Sequence, residues 1–321
     1  PKYWKEIISN PLNPLRNKAI QDHFPPGSTF KPIPLLAGLE KKIINEKTKF
    51  FCHGSLDFGN KTYHCHKKTG HGWVDLYRSL EQSCDVYFYH LAQKISVDAF
   101  SEVARWFGMG SKTSIKLNNE VPGLVPTKEW KRKRFGRKWQ KGETLTTAIG
   151  QSYNLTTPIQ LAVAYAAITN GGKLFRPFLV SRVEEQTGEV SKEYTAELLE
   201  SHAIPERSVD MIKKGLFRVV NKKGGTGYWF VRSDKTQISG KSGTTQVVRL
   251  KKEDLFKPCK DLPYKKRHHA WFVGFAPYEK PEIVVAVLGQ HACSGSSSAG
   301  PVVKKVIEKW FEKKEPLAGR S

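Results

Sequence analysis

No stretch of this 321-residue chain approaches the run of about eighteen uninterrupted apolar residues that a membrane span needs, and no basic-then-apolar leader opens it. The sequence therefore reads as a soluble segment. It starts on Pro1-Lys2-Tyr3-Trp4 with no initiator methionine, which suggests a domain cut from a longer protein whose anchor lies upstream. Also missing are internal repeats, low-complexity tracts and any Gly/Ser/Pro-rich linker, so one catalytic unit is expected. Acidic residues are in short supply, 30 against 53 Lys and Arg, leaving a formal charge of +23. That surplus gathers in runs, Lys131-Arg132-Lys133-Arg134 with Arg137-Lys138, and Lys265-Lys266-Arg267-His268-His269. Such a field favours anionic partners. No helix-turn-helix, finger or RNP pattern accompanies it, and the aromatics beside the first run (Trp130, Phe135, Trp139) are few. The runs read as solvated surface, and no nucleic-acid partner is expected. The cysteines number five, and an odd count excludes complete intramolecular pairing.

What is present is ordinary globular composition, 39% hydrophobic, enough for a large core. Three β-rich runs near the C-terminus, Ile238 to Leu250, His269 to Pro277 and Glu282 to Gln290, predict neighbouring antiparallel strands. After Gly300-Pro301, Val302/Val306/Trp310 and Val303/Ile307/Phe311 recur with period four beside Lys304, Lys305, Glu308 and Lys309, predicting an amphipathic helix laid on that sheet. Val74 to Leu80, Val86 to Ile95, Thr157 to Ile168 and Val209 to Val220 combine apolar residues at helical spacing with polar faces. Helices followed by strands fit an α+β fold rather than alternating βαβ units, with a mainly helical section from roughly residue 73 to residue 205.

The stretch Pro25-Pro26-Gly27-Ser28-Thr29-Phe30-Lys31-Pro32 holds a serine and a lysine three residues apart. On a helix beginning just after Gly27 they share a face, so amine and hydroxyl can meet. A serine hydroxyl is a poor nucleophile until a neighbouring base takes its proton, and a lysine can do so when burial or a second cation depresses its pKa. Alone, this spacing is explained as well by a capping serine. Two further elements change the balance. Ser83-Cys84-Asp85 opens an apolar helix, and Lys241-Ser242-Gly243-Thr244 lies in a β-rich run, where a glycine removes the side chain that would block close approach of substrate.

In this order the three elements resemble the active site of the penicillin-recognising serine acyl-transferases. The likeness extends through Asn13-Pro14-Leu15, Gly70-His71-Gly72, Tyr87-Phe88-Tyr89, Glu129-Trp130-Lys131-Arg132, Gly150-Gln151 and His269 to Pro277, all of which look like class B penicillin-binding proteins of the elongation type. That resemblance implies a transpeptidase and β-lactamase-like fold, and a D,D-transpeptidase that cross-links peptidoglycan stem peptides and is acylated by β-lactams. It implies Ser28 as nucleophile, Lys31 as its base, and Ser83 with Lys241 as a proton relay. The N–H groups of Ser28 and Thr244 would form the oxyanion hole, and the Ser242 and Thr244 hydroxyls would bind the substrate carboxylate. It further implies a periplasmic position on the bacterial inner membrane through an N-terminal anchor helix, a membrane glycosyltransferase partner of the SEDS family, and a rod-complex scaffold protein. A β-lactamase or a non-catalytic β-lactam sensor would share the motifs. Against the β-lactamase, the interval from Ser83 to Lys241 is longer than a compact β-lactamase needs.

Two departures stand out. Asp85 occupies a position that is usually asparagine across the wider superfamily, although the elongation branch resembles this sequence in having S-x-D, and an ionised carboxylate accepts hydrogen bonds but donates none, so amide recognition there loses its donor. Pro34, if beyond the first helical turn, should kink the helix.

Cys52, Cys65, His71 and Cys84 follow one another at intervals of 13, 6 and 13 residues. Three thiolates and an imidazole suit a closed tetrahedral zinc site. A Cys52–Cys65 disulfide or plain buried thiols fit the spacing as well. The resemblance adds weight to zinc, because the corresponding loop of several elongation-type members resembles a zinc site with aspartates at the first two positions. Such a metal would clamp the loop from Phe51 to Gly72 onto the segment bearing Ser83 and Asp85. His53, His64 and His66 are alternatives to His71 as the nitrogen ligand. Cys259 and Cys293 are expected to be free thiols.

Overall fold

The computed structural model describes residues 2–248, 252–254 and 257–314. The three β-rich runs form its largest sheet, with strands Ser239–Thr245, His269–Ala276 and Ile283–Gly289 all antiparallel and His269–Ala276 in the middle. Every residue of the middle strand is buried, as the apolar run from Ala270 to Ala276 requires of a strand covered on both faces. Each strand ends a little inside the run that predicts it, and Arg249 and Leu250 lie outside the described residues.

The C-terminal helix, Gly300–Lys314, packs on this sheet through Val303 and Ile307, both fully buried, with Phe311 partly covered. A Cβ on Gly274 would come within 2.6 Å of Val303 Cγ1, so the missing side chain in the middle strand lets the helix settle. The second ridge departs from expectation: Val302, Val306 and Trp310 stay 42–46% exposed. Adjacent helical positions point about 100° apart, so a sheet accepts one ridge and leaves its neighbour at the flank.

The predicted helices appear at Leu76–Glu81, Asp85–Lys94, Pro158–Thr169 and Glu206–Asn221. Local sequence sets their starts. Asp75 accepts from Arg78 N, and Thr157 with Gln160 forms a reciprocal capping box ahead of Pro158 at the first helical position. The segment from 73 to 205 carries most of the helices, then two exposed two-stranded sheets built from Lys173–Arg176 with Glu197–Ser201 and from Arg182–Glu184 with Val190–Glu193. Two members of the basic runs are not solvated: Lys131 is buried and ion-paired to Glu143 at 2.5 Å, and His269 is buried in the middle strand.

The helix expected just after Gly27 begins later. Gly27–Phe30 is a 3-10 turn, and the α-helix proper is Pro32–Glu40. Positions i and i+3 eclipse on a 3-10 turn, so Ser28 and Lys31 still share a face. Pro34 consequently falls in the first α-helical turn, where backbone N–H groups have no intrahelical acceptor, and the expected kink loses its cause.

Cys259 and Cys293, expected to be free, form a disulfide across 34 residues of sequence. The central strand brings them together: Cys293 N donates to His268 O at 2.9 Å, and His268 N lies 3.4 Å from Cys259 Sγ.

Candidate active site

Ser28, Ser83, Asp85, Ser242, Gly243 and Thr244 line one cavity of about 470 Å³. Lys31 and Lys241 lie beneath it, both fully buried. All eight residues singled out for catalysis or substrate binding are thus brought together, from three parts of the chain.

The Ser28 turn is tied to the main sheet. Pro25 O accepts from Trp271 Nε1 at 3.0 Å and from Thr245 Oγ1 at 3.1 Å, and Thr29 O accepts from Tyr165 Oη at 2.8 Å. A Cβ on Gly243 would sit 3.0 Å from Pro26 O and 3.1 Å from Thr29 Cγ2. Its absent side chain therefore makes room for the Ser28 turn rather than for substrate. Ser28 itself is half-buried and Thr244 is exposed to the cavity.

Ser83 stands between the helices Leu76–Glu81 and Asp85–Lys94 with φ +53°, a left-handed backbone that a serine adopts at a cost of about 1 kcal/mol or more. Its hydroxyl meets both lysines: Lys31 Nζ at 3.1 Å and Lys241 Nζ at 2.9 Å. Lys31 Nζ also donates to Ser83 O at 2.7 Å and to Asp85 Oδ1 at 2.8 Å, and lies over the Phe88 ring. Lys241 Nζ donates to Ser242 O at 3.0 Å.

Electrostatics separate these groups. Burial, and then the charge of Lys31, hold the Lys241 amine well below the usual lysine value, with Asp85 opposing. Burial pushes the Asp85 carboxyl up, but Lys31 and His66 together outweigh it and hold it below the ordinary carboxylate range. Both oxygens of Asp85 are engaged, Oδ1 by Lys31 and Oδ2 by the His66 backbone N–H at 3.1 Å, with His66 Nδ1 at 3.4 Å.

Adjoining Ser83 and Asp85 lies the second predicted cluster, one member of which, Cys65, also lines the cavity. Cys52, Cys65, His71 and Cys84 are all buried, with one donor atom from each within 4.8 Å of the others. His71 Nδ1 is 3.6 Å from Cys52 Sγ and 3.5 Å from Cys65 Sγ. The antiparallel pair Phe50–Cys52 and Gly72–Val74 sets Cys52 opposite Gly72, and His71 N donates to Cys52 O at 3.1 Å. None of the three cysteines is in a disulfide, which removes the Cys52–Cys65 alternative. Contact with Cys84 pulls the Cys52 thiol down against burial, to about 6, and draws Cys65 down as well, while Cys84 is pushed up by the same two contacts. His53 and His64 lie outside this set, and His66 instead groups with Cys65 and Asp85.

Several residues of the cavity wall are not assigned to this site by the sequence reading: His66, Gln151, Thr226, Gln246, His268 and Ser296. Thr226 belongs to the turn after the Glu206–Asn221 helix and meets Ser242 Oγ at 2.9 Å. Gly295, next to Ser296, donates through its backbone to Thr244 Oγ1 at 3.4 Å.

The family described as the penicillin binding protein transpeptidase domain matches residues 1–308. The peptidoglycan D,D-transpeptidase MrdA of Haemophilus influenzae is 34% identical over 317 residues, 98% of this chain and 48% of the relative. Among solved structures, penicillin-binding protein 2 of Helicobacter pylori in complex with MreC shares 32% identity at a TM-score of 0.83, covering 98% of this chain and 54% of that one. The Pseudomonas aeruginosa penicillin-binding protein 2 in complex with WCK 5153 shares 34% identity at the same TM-score, covering 96% and 63%. The chain spans about half the length of the curated relatives it matches.

Proposed function

Because the chain belongs to the penicillin-binding protein transpeptidase family, we propose that it carries the cross-linking activity of an elongation-type peptidoglycan D,D-transpeptidase. The substrate is a stem peptide ending in D-Ala-D-Ala. Ser28 Oγ attacks the carbonyl carbon of the penultimate D-alanine, aided by the backbone N–H groups of Ser28 and Thr244 at the developing oxyanion. The Ser28 proton moves to Lys31 as Lys31 passes one to Ser83 Oγ and Ser83 passes its own to the neutral Lys241 amine. The C–N bond then breaks, and the departing D-alanine amine takes a proton back along Lys241 and Ser83. An ester on Ser28 remains. An amine of a neighbouring stem attacks that ester, forms the cross-link and returns the proton to Ser28. Ser242 and Thr244 hydroxyls hold the terminal carboxylate, with Gly243 presenting its backbone.

The observation that carries this reading is the Ser83 hydroxyl held between two buried lysines, at 3.1 and 2.9 Å, below the cavity that Ser28 lines. A β-lactam mimics the D-Ala-D-Ala end and should stop at the ester. Intact mass spectrometry after benzylpenicillin exposure tests it. A lasting adduct on Ser28, absent in Ser28→Ala, supports a transpeptidase; rapid turnover would make the protein a β-lactamase, and no adduct would end the proposal.

The cysteine cluster fits zinc. Zinc bonds of about 2.3 Å to sulfur and 2.0–2.1 Å to nitrogen set S···N separations of about 3.6 Å in a tetrahedron, against 3.6 and 3.5 Å to His71. Cys52, Cys65, His71 and Cys84 would hold the ion. With four protein ligands and no open position, it supplies structural cross-linking and no step of the acyl transfer.

The reading extends to the whole protein. Residues 1–321 form one transpeptidase unit with a helical insertion from about 73 to 205, anchored on the periplasmic face of the bacterial inner membrane. Its partners are a SEDS-family glycosyltransferase and a rod-complex scaffold protein. Support for the scaffold comes from the Helicobacter pylori relative, which was solved in complex with MreC.

A further inference from the structure

Asp85 makes a demand that the chemistry above leaves unmet. Its Oδ1 is committed to Lys31 Nζ at 2.8 Å and its Oδ2 to the backbone N–H of His66 at 3.1 Å. The side chain is about nine-tenths buried and carries no proton donor. It therefore serves as the counter-ion of Lys31 and as an anchor for the loop, and has no proton to donate to a substrate amide carbonyl.

His66 stands at that vacancy. Its Nδ1 faces Asp85 Oδ2 at 3.4 Å and Cys65 Sγ at 3.9 Å, which orients the ring from one edge and leaves Nε2 as the nitrogen not engaged by those two partners. The imidazole is half-exposed and lines the same cavity as Ser28, Ser83 and Thr244. The loop bearing it is fixed just ahead of His66, by Tyr89 Oη donating to His64 O at 3.1 Å and by Cys65 N donating to Gly54 O at 2.8 Å. The His71 ring lies 5.1 Å from its centroid.

We propose that His66 is a substrate-contacting residue whose Nε2 pairs with the peptide amide next to the reacting D-alanine, or with the acylamino group of a β-lactam, in place of the superfamily asparagine that Asp85 replaces. The pairing survives either protonation state of the ring. A doubly protonated ring donates from Nε2 to the amide carbonyl; a ring protonated at Nδ1 alone accepts from the amide N–H. Asp85 and His66 thus divide two tasks that one asparagine would combine, charge compensation for Lys31 and amide recognition. This inference rests on the transpeptidase reading of the same site.

The test compares two penicillins that differ only in the group His66 would meet: benzylpenicillin, which carries an acylamino side chain, and 6-aminopenicillanic acid, which carries a bare amine. Second-order acylation constants are measured for the unaltered chain, for His66→Phe, which keeps a ring beside His71, and for His66→Gln, which restores an amide. The expected result is about a ten-fold loss with benzylpenicillin in His66→Phe, the size of one hydrogen bond. The loss should lie in the non-covalent binding step, with 6-aminopenicillanic acid unchanged and His66→Gln close to the unaltered chain. Unchanged constants with both compounds, an equal loss with both, or no rescue by glutamine would overturn the inference while leaving the transpeptidase reading intact. If the unaltered chain is acylated by neither compound, the transpeptidase reading itself falls and takes this one with it.

Discussion

Lys31 and Lys241 donate to the same hydroxyl, that of Ser83, from opposite ends of the fold: one from the start of the Pro32–Glu40 helix, the other from an outer strand of the main sheet. Only Lys31 has a carboxylate partner there, Asp85, and the Lys241 amine is displaced toward its neutral form. That asymmetry yields the first expectation.

In the proposed mechanism Lys241 has to be neutral to end the proton relay. Its depressed value means that it takes up a proton as pH falls through that value, so the acylation constant should decline on the acid side and level off above it. Lys241→Arg, permanently charged, and Lys241→Met, without an amine, should each lose about 100-fold or more in benzylpenicillin acylation. Stability runs the other way. Between the lowered folded value and the unfolded value near 10.4, the unfolded chain binds more protons, so this lysine costs stability that increases as pH falls through that window. Lys241→Met should therefore unfold at higher urea than the parent at pH 7.

Asp85→Asn should unfold early, despite matching the superfamily residue. It leaves the Lys31 ammonium buried without its counter-ion, a change that costs about 3–5 kcal/mol. The same linkage gives a pH signature. The carboxyl is held below its usual range, so its stabilising contribution is present above the unfolded carboxylate value near 3.9 and fades as pH falls through the lower folded value. Urea titrations of parent and variant at pH 7 should differ by that amount and converge toward acid pH. Equal midpoints at pH 7 would show that the pair contributes nothing.

Chelation offers a check on the cysteine cluster. Native mass spectrometry should find one zinc per chain, and Ellman's reagent should leave Cys52, Cys65 and Cys84 unmodified until the metal is removed. All three should then react, with a fall in melting temperature. No bound metal, with thiol reactivity and melting temperature unchanged by chelator, would argue for plain buried cysteines.

The Cys259–Cys293 bridge closes a loop of 34 residues, which on loop entropy alone is worth about 3–4 kcal/mol. The double change Cys259→Ser with Cys293→Ser should lower the urea midpoint accordingly. Because Cys293 and His268 share a backbone hydrogen bond and His268 lines the cavity, acylation should slow as well. A variant with the parent's midpoint would show that the loop is held by its other contacts.

Much of this was legible in the sequence because it rests on local pattern. The Lys241–Thr244 motif falls in a β-rich run, and the strand follows; Ser83-Cys84-Asp85 precedes apolar residues at helical spacing, and the helix follows. What escaped depends on distant encounters. Nothing near Cys259 announces Cys293, since the central strand supplies the meeting place. His66 was noted only as a substitute for His71, because its position against Asp85 is made by a loop whose path no periodicity encodes. Val302, Val306 and Trp310 show the reverse limit: period four identifies an apolar helix face without saying which of two adjacent ridges a sheet will cover.

Cys84 sits between Ser83 and Asp85 in the chain, with its sulfur in the cysteine cluster while its two neighbours line the cavity. A single extended residue at the start of the Asp85–Lys94 helix thus joins the cysteine cluster to the cavity wall, which Cys65 also touches. On the transpeptidase reading the protein would have two unlike vulnerabilities, a hard one at the Ser28 oxygen, open to acylating drugs, and a soft one at sulfur, open to thiophilic metals and oxidants. An agent of the second kind would disarm the proton relay from behind, and resistance changes that reshape the drug-binding rim would offer no shelter from it.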